Sequence, residues 1–201
     1  MRKIILFIGA PGSGKGSRCE ECKKAGYIQI SSSKLIEDAG YDLSRGGAGI
    51  TDEVVIKLIM NKVKSLSKNS KIILDGFPRR RKQAELLNKY LKIDQVIYFK
   101  VPKKIALERV KNRLICSVCK APYSRSYKPP ITEGICDKCG GRLVRRASDT
   151  EEIFFRRFKA FKENAYQTMG YYYNEGICIK TINAETDFDI ISIIENKNGF
   201  E

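Results

Sequence analysis

Five short apolar runs punctuate the chain, at Ile4–Ile8, Tyr27–Ile30, Lys71–Leu74, Gln95–Phe99 and Ile177–Ile182. Each has the length of a strand. Between most of them apolar positions recur at helical spacing, over Lys15–Ala25, Asp52–Leu66, Arg79–Leu91 and Lys103–Leu114. A longer helical pattern covers Asp149–Tyr173, with Asp149 or Ser148 as its expected N-cap and Thr150, Glu151 and Glu152 in its first turn. Strands alternating with helices predict an α/β fold, a parallel five-stranded sheet covered by helices on both faces.

Two stretches break the rhythm. Ser31–Ile50 is polar and contains Gly46-Gly47-Ala48-Gly49, which predicts irregular backbone there. Cys116–Ser148 contains Pro129-Pro130, Gly140-Gly141 and four of the seven cysteines. Both read as excursions from the edge of the sheet where strands give way to helices, the edge at which open α/β sheets bind ligands. The expected organisation is a core of residues 1–30, 51–114 and 149–201, a short excursion 31–50 and a second excursion 115–148.

The first run opens directly into Gly9-Ala10-Pro11-Gly12-Ser13-Gly14-Lys15-Gly16-Ser17. Glycines let backbone N–H groups turn toward an anion, and the following helix presents the positive end of its dipole. Lys15 is placed to reach outer phosphates as a flexible point charge, and Ser17 supplies the hydroxyl one residue later than the strict pattern. This is a phosphate loop, and the chain is expected to bind a nucleoside triphosphate.

Charge and composition narrow the partners. With 201 residues and a net charge of +15, the chain is one domain with a small insert and calls for polyanions: nucleotide phosphates, nucleic acid or an anionic membrane. It has no histidine, which excludes a histidine base or histidine metal ligand. No apolar span is long enough for a membrane, and a cytoplasmic protein is expected.

Cys116-x-x-Cys119 and Cys136-x-x-Cys139 have the spacing of a closed four-thiolate zinc site, structural rather than catalytic. The excursion holding them is basic, with Lys120, Arg125, Lys128, Lys138, Arg142, Arg145 and Arg146 against Glu133 and Asp137. That charge suits a lid over a triphosphate, or a zinc ribbon on nucleic acid. Cys19 and Cys22, one helical turn apart, read as structural thiols, and Tyr171-Tyr172-Tyr173 as a helix end packed on the sheet. Asp75-Gly76-Phe77-Pro78-Arg79 closes the third strand, where an aspartate beside a phosphate loop holds magnesium or its waters. Arg79, Arg109, Arg113, Arg146 and Arg157 recur near these landmarks, and phosphoryl transfer needs such charge around the equatorial oxygens.

Together these residues resemble the adenylate kinases of bacterial type with a zinc-bearing lid. The likeness runs through Gly9–Ser17, Ile72–Arg79 with Gln83, the four cysteines, and Arg146 through Arg157. It implies a P-loop NTPase-type fold with a monophosphate-binding excursion and a zinc lid, and the reaction ATP plus AMP giving two ADP. It further implies Gly12, Ser13, Gly14, Lys15, Gly16, Ser17, Arg109 and Tyr123 at ATP, with Arg109 on the adenine. Ser32, Gly76, Arg79, Gln83, Arg146 and Arg157 would lie at AMP. Lys15, Arg79, Arg113, Arg146 and Arg157 would be catalytic, and Ser17 and Asp75 would hold magnesium through waters. A monomer with structural zinc, no membrane contact and no nucleic-acid partner is implied. Three departures stand out, the first being that the excursion up to Thr51-Asp52-Glu53 is shorter than is typical of such enzymes. Glu37 occupies the place of an arginine that grips AMP phosphate, leaving Lys34 or Arg45 as substitutes, and Ser148 replaces one acid of a pair that retains Asp149. The alternatives are a kinase for another nucleoside monophosphate, or a P-loop ATPase that contacts nucleic acid through its zinc ribbon.

Overall fold

The computed structural model describes residues 1–41 and 50–196. Arg45 and Gly46-Gly47-Ala48-Gly49 lie outside the described residues. Five strands, β1 (Lys3–Gly9), β2 (Tyr27–Ser31), β3 (Lys71–Asp75), β4 (Gln95–Lys100) and β8 (Cys178–Asn183), form one sheet in the order β2-β3-β1-β4-β8. Every pairing in it is parallel. Helices α1 (Lys15–Lys24), α2 (Ser32–Asp38), α3 (Asp52–Lys64), α4 (Arg81–Asn88), α5 (Lys103–Lys111), α6 (Glu151–Asn174) and α7 (Ile190–Glu195) connect and cover it. A second sheet, β5 (Arg113–Cys116), β6 (Pro122–Ser124) and β7 (Leu143–Val144), is antiparallel in the order β6-β5-β7.

The apolar runs explain the two-sided core. Side chains alternate across a strand, so Ile4, Leu6 and Ile8 of β1 pack on one face with Ile72, Leu74, Ile56, Ile59, Leu87 and Tyr172. Ile5 and Phe7 point the other way, onto Ile73, Ile97, Phe99, Cys19, Cys22, Ile190 and Ile194. Both faces are buried, which is why these strands read as unbroken hydrophobic runs. Cys19 and Cys22 are thus core thiols of α1, and burial pushes both well above their ordinary titration range.

Several expected boundaries move. Helix α5 ends at Lys111, not Leu114: Asn112 caps it, the Arg125 N–H binds Asn112 O at 2.9 Å, and Arg113 starts β5. Helix α4 starts at Arg81 rather than Arg79, because Arg80 is extended at φ −135°, ψ 153°, and the side chain of Gln83 accepts from the Arg79 N–H at 2.7 Å ahead of the helix. The long helix α6 is capped by Thr150, whose hydroxyl accepts from Ile153 N at 3.2 Å, and neither Ser148 nor Asp149 is the cap. Part of the irregular stretch is helical, since Ser32 and Ile36, four residues apart, anchor α2 against its neighbours. Of the tyrosine run, Tyr172 is fully buried and Tyr173 is exposed.

Candidate active site

The strand order brings the chemistry together. From β1 the chain crosses to β2 on one side, and from β3 it crosses to β4 on the other, so a crevice opens at the C-terminal ends of β1 and β3. Phe7 of β1 pairs with Asp75 of β3, which sets Asp75 beside the loop that follows Gly9. Asp75 Oδ2 accepts from Gln29 Nε2 at 3.0 Å, fixing the carboxylate from the neighbouring strand.

The loop itself depends on its glycines. Gly12 has φ 79°, and a Cβ there would lie 2.2 Å from the Ala106 carbonyl oxygen, so the loop packs against α5 only without a side chain. Gly14 caps α1 in the left-handed region at φ 86°. Lys15 curls over the loop, donating to Gly9 O at 2.5 Å, Ala10 O at 3.1 Å and Ser13 Oγ at 3.2 Å. Desolvation lowers its amine to about 8, against opposing support from Asp75. Ser13 is buried, whereas Gly16 and Ser17 stand exposed at the start of α1. The Ser17 hydroxyl and the Asp75 carboxylate are oxygen donors of the kind magnesium accepts, and their chemistry fits that ion.

Past β3 the backbone turns at Gly76, φ 86°, where a Cβ would come 2.8 Å from Ser32 Oγ. Glycine is therefore what lets Ser32 approach. Arg79 Nε donates to Gly76 O at 2.7 Å, and burial works against the Arg79 charge while Asp75 supports it. Gln83 is nearly buried: its Oε1 accepts from Arg79 N, and its Nε2 donates to Asp52 Oδ1 at 2.6 Å.

The arginines converge from different elements. Partial burial, then the charges of Arg79 and Arg146, lower the Arg157 guanidinium, with Asp149 opposing and Arg113 adding to the repulsion. Solvent still reaches Arg79, Arg146 and Arg157, so none of the three belongs to the core. Arg113 is held by Asp149, Nε to Oδ2 at 2.6 Å and Nη2 to Oδ1. Arg146 and Arg157 make no side-chain ion pair among the described residues. The charges of Arg79, Arg146 and Arg113 all bear on Arg157, and a cluster of one sign in a cleft is the electrostatic environment an anion favours. Arg109 lies apart, donating to Ala184 O at 2.7 Å with its guanidinium 5.3 Å from the Tyr127 ring centre.

The cysteine module is built from two matching turns. Lys120 (φ 59°) donates its N–H to Cys116 O, and Gly140 (φ 71°) donates to Cys136 O, so each C-x-x-C closes alike. The four Sγ atoms lie within 4.8 Å of one another, with pairs at 3.5 and 3.6 Å. A tetrahedral zinc with bonds of about 2.3 Å spaces sulfurs by roughly 3.8 Å, so the four thiols fit that ion. Gly141 makes room for this, since a Cβ there would lie 2.9 Å from Cys116 Sγ. Tyr123, expected at ATP, is instead buried in this module: its hydroxyl accepts from Asp137 N at 2.8 Å and meets Cys136 Sγ at 3.4 Å. That hydrogen bond lowers the Cys136 thiol to about 6. Lys138, between the second cysteine pair, reaches Glu20 of α1 at 3.2 Å, tying the module to the helix after the phosphate loop.

Glu37 sits exposed on α2, as does Lys34. Sequence reading passed over two residues of this site, Asp52 and Gln29. Each is an ordinary polar residue whose meaning comes from a partner 31 or 46 positions away.

A glycine-built loop between strand and helix, an acid on the adjacent strand and convergent arginines define a P-loop nucleotide-binding protein of the α/β class. The adenylate kinase family model matches residues 7–177. An adenylate kinase of Caldicellulosiruptor saccharolyticus is 34% identical over the whole of both chains. Those of Archaeoglobus fulgidus and Methanosarcina barkeri are 35% and 33% identical. The first match covers 86% of this chain and 87% of the relative, the second 92% and 93%. The chain belongs to the adenylate kinase family.

Proposed function

We propose that this chain is a nucleoside monophosphate kinase, most specifically an adenylate kinase, that moves a phosphoryl group reversibly between ATP and AMP to give two ADP. The observation that carries the reading is the convergence of Arg79, Arg113, Arg146 and Arg157, whose charges bear on one another beside the phosphate loop. In line, a phosphate oxygen of AMP attacks the γ-phosphorus of ATP as its bond to the β-bridging oxygen breaks. The attacking oxygen is already anionic, so no general base is needed, in keeping with the absence of histidine. Lys15 and the loop N–H groups would hold the donor phosphates and Arg79 the AMP phosphate. Arg113, Arg146 and Arg157 would stabilise the charge spread over the transferring group, where one such arginine supplies about 10³–10⁵ in rate.

Magnesium bound with ATP supplies neutralisation of the β- and γ-oxygens. Ser17 and Asp75 are the residues that would hold it, Asp75 through waters. Arg109, already close to one aromatic ring, would stack on the ATP adenine. Gly76 and Ser32 would shape the AMP pocket, and Gln83 would read the adenine edge. The parts are a core of residues 1–30, 51–114 and 149–201, an acceptor excursion at 31–50 and a zinc lid at 115–148. As the lid shuts it would exclude water that otherwise hydrolyses ATP. Among the described residues no helix is long and apolar enough to cross a membrane, and we place the enzyme in the cytoplasm as a monomer.

A coupled assay of diphosphate formation across a panel of nucleoside monophosphates tests the reading, with AMP expected to give the highest kcat/KM. The exposed acid Glu37 favours, as a second reading, an acceptor other than AMP. Another monophosphate that outperforms AMP would establish it. Absence of turnover with every acceptor would overturn both.

A further inference from the structure

The amide of Gln83 is locked in one orientation by groups that cannot exchange roles. Arg79 N–H can only donate, and it meets Gln83 Oε1 at 2.7 Å. Across the amide, the Asp52 carboxylate can only accept, and it meets Gln83 Nε2 at 2.6 Å. Rotating the amide by half a turn would set N–H against N–H at one end and oxygen against carboxylate at the other. Asp52 is itself fixed. It is the first residue of α3, which is capped by Thr51, and its carboxylate also accepts from Arg80 at 3.1 and 3.2 Å.

We propose that Asp52 is a positioning residue for acceptor-base specificity, acting through Gln83. The proposal rests on the reading above that Gln83 meets the base of the acceptor nucleotide. The two bonds leave Gln83 one lone pair on Oε1 and one hydrogen on Nε2, in a fixed order. Adenine presents a donor at N6 and an acceptor at N1. Hypoxanthine presents the reverse, an acceptor at O6 and a donor at N1. An amide free to rotate would serve both bases, whereas one locked by Asp52 serves only one of them in a given pose. The rejected base then leaves buried polar groups unpaired, the circumstance in which hydrogen-bonding sites discriminate most strongly.

IMP is the appropriate probe, because it differs from AMP only at this edge. The ratio of kcat/KM for AMP over IMP is measured in the full-length enzyme and in Asp52→Ala, Asp52→Asn and Gln83→Ala, with thermal melts alongside. In Asp52→Ala the ratio should fall about ten- to a hundredfold, through KM more than kcat. Asp52→Asn keeps an oxygen that accepts from Nε2 and should retain most of the discrimination. If the alanine variant does not fold, Asp52→Ser, whose shorter side chain withdraws the acceptor from Nε2, should show the same fall, and an unchanged ratio in it overturns the proposal. A ratio unchanged in Asp52→Ala but lowered in Gln83→Ala overturns the proposal and leaves the reading of Gln83 standing. A ratio unchanged in both overturns the two together. A wild-type enzyme that accepts IMP as readily as AMP, or a parallel fall for both acceptors tracking a lowered melting temperature, also overturns the proposal.

Discussion

Arg113 and Asp149, 36 residues apart, close a two-point ion pair at the base of the cysteine module. Asp149 keeps only 1% of its side chain exposed, whereas Arg113 keeps 29%. Removing the arginine therefore strands a buried carboxylate. Arg113→Ala should lower unfolding free energy by about 1.5–3 kcal/mol and turnover as well. Arg146→Ala, at an exposed side chain with no ion pair among the described residues, should leave stability within about 0.5 kcal/mol while turnover still falls. Urea denaturation of the two variants separates these effects. Equal destabilisation by both would show that the Arg113–Asp149 pair contributes little.

Lys15 predicts a pH dependence. Its amine, lowered by desolvation to about 8, titrates below the ordinary 10.5 of the unfolded chain. Between those values the unfolded state binds more protons, so the cost of the buried charge is relieved and stability rises with pH across that window. Binding of ATP has the opposite sense, because polyphosphate favours the ammonium. Affinity should fall as pH rises through about 8, with proton uptake on binding. Calorimetry at pH 8 in buffers of different ionisation enthalpy reads that uptake. Identical heats in all buffers would contradict it.

Zinc should be stoichiometric. The four thiols of Cys116, Cys119, Cys136 and Cys139 gather between short strands that bury few side chains of their own. Binding of about 10–16 kcal/mol is realised there as folding energy. Elemental analysis should find one zinc per chain and none in Cys116→Ser, and a chelator should lower the melting temperature. Metal-free protein with an unchanged melt would contradict the assignment.

Tyr172 is fully buried in the main core, and its hydroxyl has no hydrogen-bond partner among the described residues. Tyr172→Phe removes that unpaired group at almost no change in shape, and should stabilise the protein by about 1–3 kcal/mol. A lower melting temperature in this variant would mean that the hydroxyl is satisfied in solution.

The sheet was legible because its strands are local apolar runs. Ile4–Ile8 declares itself without reference to any other part of the chain, and so do the glycines that follow it. The cysteine site was legible for the same reason, since C-x-x-C carries its geometry within four residues. What escaped reading depends on distant partners. Leu114-Ile115 continues the apolar pattern of α5, and only pairing with β6 and β7 turns it into a strand. Asp149 looks like a helix cap until Arg113 claims it and Thr150 takes the cap. Helix α7 is a six-residue segment, Ile190–Glu195, with four isoleucines, whose helical state is settled by Asp189 capping it and by burial of Ile190 and Ile194 against the sheet. Tyr123 was assigned to ATP by likeness, while its hydroxyl binds Asp137 N and Cys136 Sγ within the module.

The central claim is that the convergent arginines and Lys15 serve transfer to a second nucleotide rather than hydrolysis. Phosphorus NMR of ATP, AMP and magnesium with catalytic amounts of the protein reads both outcomes in one sample. The account predicts that the AMP and ATP signals decline together into ADP, with no inorganic phosphate, and that Lys15→Ala abolishes the change. ATP converted to ADP and inorganic phosphate while AMP stays constant would contradict it.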